Sequence, residues 1–291
     1  MTKWVSKGDL SEYELRRIKL AKSFAPAGTQ CDKNGLVEIT ISEPVRDSLT
    51  GEYLGREFYD YYPHDSLEFG ESGYGPDLAL EWGFDFYNEG LTYTEKEMFD
   101  VRVGCFQSAE LLYLHAALEE WEGSATAWKC LGYVYEYDRT KGNLWPLNAN
   151  EVQETYHPVL RMTDRKDRAF KCYELAMDLG DLEAAYKYGD MFRRGFGCDV
   201  DLKKAFDCYS KAWKQCEDAP AYIFGSVAFR LASAFEEGNG CKRDLEKSSD
   251  FYKKAIVGLE IEQQDTSIYD GVLERCKQGL KRVEQEIELS S

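Results

Sequence analysis

The chain has 291 residues, of which 43% are hydrophobic and 14% aromatic, and a formal net charge of −17. That length buries a substantial core in one elongated domain with an extension, and the acidic balance opposes the phosphate backbone of nucleic acid and anionic membrane surfaces. No segment approaches the roughly eighteen consecutive apolar residues that a membrane-spanning helix needs.

The opening residues, Met1 to Asp9, lack the apolar run that follows a charged start in a secretory signal, so a cytoplasmic protein is expected. Ser11-Glu12-Tyr13-Glu14 is a capping box, and Leu15, Ile18, Leu20 and Ala21 predict a partly apolar helix ending near Ser23. Leu36 to Ser42 alternates apolar and polar residues in the manner of a strand. Asp47 to Gly51 reads as a turn, and Tyr53 to Tyr62 returns as a second strand. A lone hairpin is marginal in water, so this one is expected to lie on the helices that follow, capping them or reaching into their groove. The glycine-rich stretch Gly70 to Pro76 is a linker, which makes residues 1–76 an N-terminal extension.

From here the pattern is helical. Leu80, Phe84, Tyr87 and Gly90 suggest a first helix ended by glycine, and Ala109, Leu112, Tyr113 and Ala116 a second, with an insert near 91–101. Trp128, Leu131, Gly132 and Tyr135 open another pair, which Ala169, Cys172, Tyr173 and Ala176 complete after a long insert at 138–163. The next two pairs are near copies at a constant offset of 43 residues. Tyr188, Gly189, Phe192, Gly195, Gly197 and Cys198 recur as Leu231, Ala232, Phe235, Gly238, Gly240 and Cys241. Asp201, Lys204, Ala205, Cys208, Tyr209 and Ala212 recur as Asp244, Lys247, Ser248, Phe251, Tyr252 and Ala255. The small Gly189 or Ala232 allows close helix approach, Gly195 and Gly238 stop the first helix, and Asp201 and Asp244 cap the second. Neither helix can bury its stripe alone, so the units stack as an α-solenoid, here over residues 77–258. In residues 259–291, Tyr269, Val272, Leu273, Cys276, Leu280 and Val283 form one stripe: a helix capping the last pair, or a dimerisation helix.

The nine cysteines are an odd number without a C-x-x-C pair, which argues for reduced thiols. Cys172 and Cys208 share one repeat position, and Cys198 and Cys241 share another; all four read as small core residues.

The frame at 185–212 and 228–255 resembles the Sel-one-like repeat, a short relative of the tetratricopeptide repeat. That pattern is A-x-x-x-L-G-x-x-Y-x-x-G-x-G followed by D-x-x-K-A-x-x-W/Y-Y-x-K-A, and the resemblance covers roughly residues 78–258. It implies an all-α, right-handed superhelix of about four helix pairs and a non-catalytic adaptor that holds a protein or peptide. A secreted branch of the family carries regularly spaced cysteine pairs, which this chain lacks, so nothing particular to that branch carries over.

Catalytic signatures are sparse. His64-Asp65 alone is half of a phosphohydrolase-type pair, and His115 with Glu119 at i, i+4 is half of a metal site at a position where other repeats place exposed Lys211 and Lys254. No nucleophile elbow, Walker loop or dinucleotide fingerprint is present; Gly195-Phe196-Gly197 is the repeat turn. The expectation is no enzyme, no cofactor and no metal. Two alternatives stay open: an enzyme site between residues 1–76 and the first repeat, and a groove filled by the chain's own N-terminal segment.

In two-helix solenoids the first helices line the concave surface. With Tyr188 and Phe192 in the core, Tyr186, Asp190, Arg193 and Arg194 should face the groove. The same offsets give Lys129, Tyr133, Glu136 and Tyr137 in the second pair, and Phe229, Ser233, Glu236 and Glu237 in the fourth. The degenerate first pair offers Glu81, Asp85, Asn88 and Glu89. Tyr and Arg dominate interface energetics, so Tyr133, Tyr137, Arg193 and Arg194, expected as neighbours, are the candidate protein-binding cluster; otherwise they are ordinary solvated helix faces. The expected state is a monomer or weak dimer.

Overall fold

The structure, a computed structural model, describes residues 3–9, 39–61, 75–93, 99–119, 121–144, 157–216, 219–263 and 269–290. The helix expected at 11–23, His64, Cys31 and most of the linker lie outside them. The chain divides into two compact units, Met1–Cys172 and Tyr173–Ser291.

The first unit begins with a three-stranded sheet in the order β1 (Lys3–Val5), β2 (Ile39–Asp47), β3 (Tyr53–Tyr61). The hairpin is antiparallel, with Ile39 opposite Tyr61 and a bulge between Val45 and Arg46. Its turn is held by the Asp47 carboxylate, which accepts from the Thr50 amide at 2.7 Å and the Leu49 amide at 3.1 Å. The sequence pattern did not reveal β1: it has three residues and pairs in parallel with Val45–Asp47, far along the chain.

Helices follow as α1 (Pro76–Thr92), α2 (Phe99–Leu118), α3 (Ser124–Glu136), the single turn α4 (Pro158–Arg161) and α5 (Arg165–Asp178), which runs into the second unit. Around α2 the second-helix frame holds, since Ala109, Leu112, Tyr113 and Ala116 are all buried. In α1 the true stripe is Ala79, Gly83, Phe86 and Gly90, and Phe84 is exposed. The register is therefore one residue earlier than the aromatic pattern suggested. The cause is contact: a Cβ on Gly83 would lie 2.5 Å from the Tyr113 ring, and one on Gly90 would lie 2.9 Å from that of Phe106. Gly90 does not stop α1, which continues to Thr92. His115, expected at the surface, is 5% exposed, because α2 is packed against both α1 and α3. The long insert returns to the core through Arg168, which donates to the carbonyls of Met162 at 2.8 Å and Leu160 at 3.2 Å. The same guanidinium lies 3.6 Å from Glu110, a carboxylate that also accepts from the Tyr135 hydroxyl at 2.8 Å.

The second unit continues from the end of α5 through α6 (Leu182–Arg194), α7 (Leu202–Trp213), α8 (Ala221–Glu237), α9 (Leu245–Gln263) and α10 (Asp270–Ser290). The 43-residue offset is reproduced down to single hydrogen bonds. The Asp201 amide donates to the Phe192 carbonyl at 3.0 Å, and the Asp244 amide to that of Phe235, also at 3.0 Å. Asp201 caps α7 through the Lys204 amide at 2.9 Å, and Asp244 accepts likewise from Lys247 at 3.0 Å. Gly195 and Gly238 end their helices in the left-handed region, at φ 64° and 73°. Gly189 contacts Tyr209 near the far end of α7, while Phe192 meets Asp201 at its start, so the two helices run antiparallel. Tyr188 and Phe192 share one face, with ring centroids 5.0 Å apart.

The stripe on α10 is spent within the chain. Leu273, Cys276 and Val283 pack with Ala228, Tyr252, Ala255 and Leu259, and Gly279 lies under the Tyr252 ring. Ion pairs ring this contact, including Arg243 to Glu286 at 2.6 Å and Arg282 to Glu236 at 3.0 Å.

A Cβ at Gly189 would lie 2.6 Å from the Tyr209 ring and 3.1 Å from Cys208 Cβ. Gly189→Leu should therefore cost about 3 kcal/mol through overpacking, read as a lower urea midpoint. Gly271, on α10 with nothing near its missing Cβ, is the control: Gly271→Ala should hold or raise stability, by up to about 1 kcal/mol.

Candidate binding surface on the first helices

On α6 the residues expected to face the groove divide sharply. Tyr186 is 4% exposed and Asp190 6%, whereas Arg193 and Arg194 lie at the surface. Tyr186 and Asp190 thus form buried floor, a correction with a simple cause. The first helices α6 and α8 lie side by side, so the face that α6 turns toward the groove is partly covered by α8. The cover is Arg230. Its guanidinium sits 4.2 Å from the centroid of Tyr186 and donates to both Asp190 oxygens, through Nε at 2.9 Å and Nη2 at 2.5 Å. Nη1 donates to the Ser226 carbonyl at 2.8 Å. From α7, the Tyr209 hydroxyl donates to Asp190 Oδ1 at 2.7 Å. One carboxylate therefore ties three helices together.

The electrostatics follow from burial and pairing. Burial alone would push the Asp190 carboxyl up, but the charge and N–H groups of Arg230 and the Tyr209 hydroxyl outweigh it and hold it below its usual value. Burial lowers Arg230, yet the Asp190 charge more than compensates and keeps it raised. Tyr209 is raised by burial and then by the Asp190 charge.

Above this floor lies a cavity of about 220 Å³. Asp190, Arg193, Phe229, Ser233 and Glu237 line it, so five of the expected groove residues of α6 and α8 converge on one space. Arg193 is half exposed, with its Nε 3.8 Å from Asp190. Arg194 turns elsewhere, donating to the Asp190 carbonyl at 3.2 Å and lying over the Phe196 ring. Glu236 is drawn to α10, accepting from Arg282 and from the Tyr252 hydroxyl at 2.5 Å. Arg275 of α10 closes the far wall, its guanidinium 5.5 Å from the Phe229 ring centroid.

In the first unit Tyr133 and Tyr137 stack, with centroids 5.8 Å apart and planes at 9°. Tyr137 is 46% exposed; Lys129, Tyr133 and Glu136 are half buried. Arg139 lies over Tyr137 at 5.1 Å and donates to the Tyr87 hydroxyl at 3.1 Å, which fixes the edge of this aromatic platform. Tyr133 and Tyr137 belong to one compact unit, and Arg193 and Arg194 to the other.

Arg230, Arg275 and Arg139 were missed from the sequence. Arg230 had a readable signal: it interrupts the buried stripe Val227, Ala228, Leu231 and Ala232, so it needs a buried acid nearby. Arg275 had none, since α10 read only as a covering helix.

Several other reactive side chains among the described residues have structural settings. The described cysteines are free thiols. Cys198 and Cys241 were expected in the core but are half exposed in the turns, with Cys241 Sγ donating to the Ala234 carbonyl at 3.4 Å. Burial pushes the Cys208 thiol up to about 11 and that of Cys276 up to about 12, far from the thiolate that a nucleophile requires. His157 caps α4 through the Val159 amide and sits 4.9 Å from the Trp128 ring. Among the described residues no group of three or more His, Cys, Asp or Glu is arranged around a metal position.

A model of the Sel1 repeat matches residues 162–181, 182–215 and 226–256, and the chain carries three such repeats. Among solved structures it is similar to a Sel1 repeat protein from Oxalobacter formigenes: 20% identity over 62% of this chain and 58% of that one, with a TM-score of 0.40. It is also similar to a protective antigen present in uropathogenic Escherichia coli strains that displays an SLR fold: 13% identity over 72% and 46%, with a TM-score of 0.31. The chain thus spans less than two thirds of either. No curated protein matches it.

The Asp190–Arg230 pair generates a prediction. Asp190→Ala leaves a buried guanidinium without its carboxylate and should cost about 3–5 kcal/mol in urea unfolding, whereas the double variant Asp190→Ala with Arg230→Met should recover part of that loss. Because the folded carboxyl lies below its ordinary value, its stabilisation is complete above the usual aspartate range and fades as the pH falls through the folded value. The stability gap between wild type and Asp190→Asn should therefore be constant near neutrality and shrink below about pH 4.

Proposed function

We propose that the protein is a non-catalytic adaptor that binds a protein or peptide on the surface of its first helices. Proteins built of Sel1 repeats typically mediate protein–protein interaction. The observation that carries the reading here is the cavity between α6, α8 and α10, which gathers an aromatic ring and guanidinium groups, the side chains most enriched at energetic centres of interfaces. Its contact residues are Arg193, Phe229, Ser233 and Glu237, supported from below by Tyr186, Asp190 and Arg230. On the first unit the contact residues are Lys129, Tyr133, Glu136 and Tyr137. We place the protein in the cytoplasm, a reducing compartment that suits its free thiols. No described helix is long and apolar enough to cross a membrane.

The test is affinity capture from a lysate with mass spectrometry, comparing wild type with Tyr137→Ala, Arg193→Ala and their combination. Both positions are exposed, so each substitution should change stability by no more than about 0.5 kcal/mol. Retention of the specific partner should fall by about 2 kcal/mol, roughly thirtyfold, if either is an energetic centre. Undiminished capture by the combined variant would refute the assignment of this face.

A further inference from the structure

The chain is acidic overall, with 53 Asp and Glu against 36 Lys and Arg. By bulk charge its preferred partner would be basic. The α6–α8–α10 cavity has the opposite local balance. Three guanidinium groups line it, from Arg193, Arg230 and Arg275, against two carboxylates, from Asp190 and Glu237. Asp190 is fully engaged by Arg230 and Tyr209. Glu237 is exposed and accepts from the Asn239 side chain. Arg193 approaches Asp190 no closer than 3.8 Å, at Nε, and Arg275 uses Nε on the Gly271 carbonyl and forms no ion pair with a described residue. Both therefore keep the Nη ends of their forks for a ligand. The same space is lined by the apolar side chains of Phe206, Phe229 and Val272.

We infer that this cavity selects a peptide segment of a partner protein in which Asp or Glu side chains flank an aromatic one. The inference rests on the adaptor reading above and narrows it. The carboxylates would pair with Arg193 and Arg275, in the bidentate geometry that a planar fork favours. The aromatic side chain would lie against Phe229, whose face Arg275 already covers. A small inorganic anion would leave the apolar wall in water, and a basic peptide would place its charge beside three guanidinium groups. The surrounding acidic surface would repel an acidic segment everywhere else, so the positive cavity fixes its register as well as its affinity.

The experiment is fluorescence anisotropy on the full chain with three series of short fluorescein-labelled peptides. Each holds one central Phe flanked at varied spacing by Glu, by Gln or by Lys. The best Glu peptide should bind at least about tenfold tighter than its Gln counterpart, and more weakly as sodium chloride rises from about 50 to about 300 mM. The variant Arg193→Gln with Arg275→Gln, which removes both charges without setting a carboxylate beside Asp190, should lose at least about tenfold in affinity for it while melting within a few degrees of wild type. Equal binding of the Gln series, tighter binding of the Lys series, no binding by any series, or full affinity in the double variant would each overturn the inference. Concentration-dependent self-association abolished by the same variant would do so too, making a second copy the occupant. Capture of the native partner by wild type, lost in Tyr137→Ala with Arg193→Ala, is read separately, so the adaptor reading can survive when this selection fails.

Discussion

Three helix contacts among the described residues depend on a tyrosine ring resting on a residue with no side chain. Tyr113 lies on Gly83, Tyr209 on Gly189 and Tyr252 on Gly279. The ring needs a flat surface, and only a glycine lets the facing backbone come close enough to supply one. The distance of closest approach is thereby fixed, and with it the depth to which every other residue of the stripe is buried. The third of these contacts pairs the last repeat with α10, which is not a repeat helix at all. The same device that joins two helices of one unit therefore also closes the end of the array.

Close packing makes polar residues structural. In the first unit Glu110, Arg168 and Tyr135 meet in the interior; in the second, Asp190, Arg230 and Tyr209 do. Each set joins a carboxylate, a guanidinium and a phenol from three different helices. Such a set is costly to assemble and costlier to break, so it favours one arrangement of the helices over near alternatives. In the first unit it also anchors the returning end of the long insert. In the second it forms the floor of the only surface where expected contact residues from two first helices meet one cavity among those described.

That cavity exists because α10 covers more than apolar surface. Its Val272 and Arg275 line the same space as Asp190 and Arg193 of α6 and add a wall to it. Arg282 on the same helix draws Glu236 aside, which leaves the wall richer in guanidinium than the first helices alone would make it. A helix that reads from its stripe as a cover thus also sets the chemistry of this cavity.

The repeat frame was legible because its signals are local and periodic. Glycines that take positive φ, aspartates that cap, and apolar residues at helical spacing act within a turn or two of chain, so the turns, caps and helix pairs at 185–255 follow from the residues themselves. The β2–β3 hairpin was legible for the same reason. What lay beyond reach was set by neighbours. Gly90 looked like a helix stop and instead makes room for Phe106. His115 and Tyr186 looked exposed and are buried. Periodicity assigns a direction to a side chain, but what lies in that direction belongs to another helix. The sequence alone determined which repeat helices form and, outside α1, which stripe each must bury; only the tertiary structure decided the register of α1 and which of the remaining faces meet water, because burial is a property of pairs of surfaces and not of one.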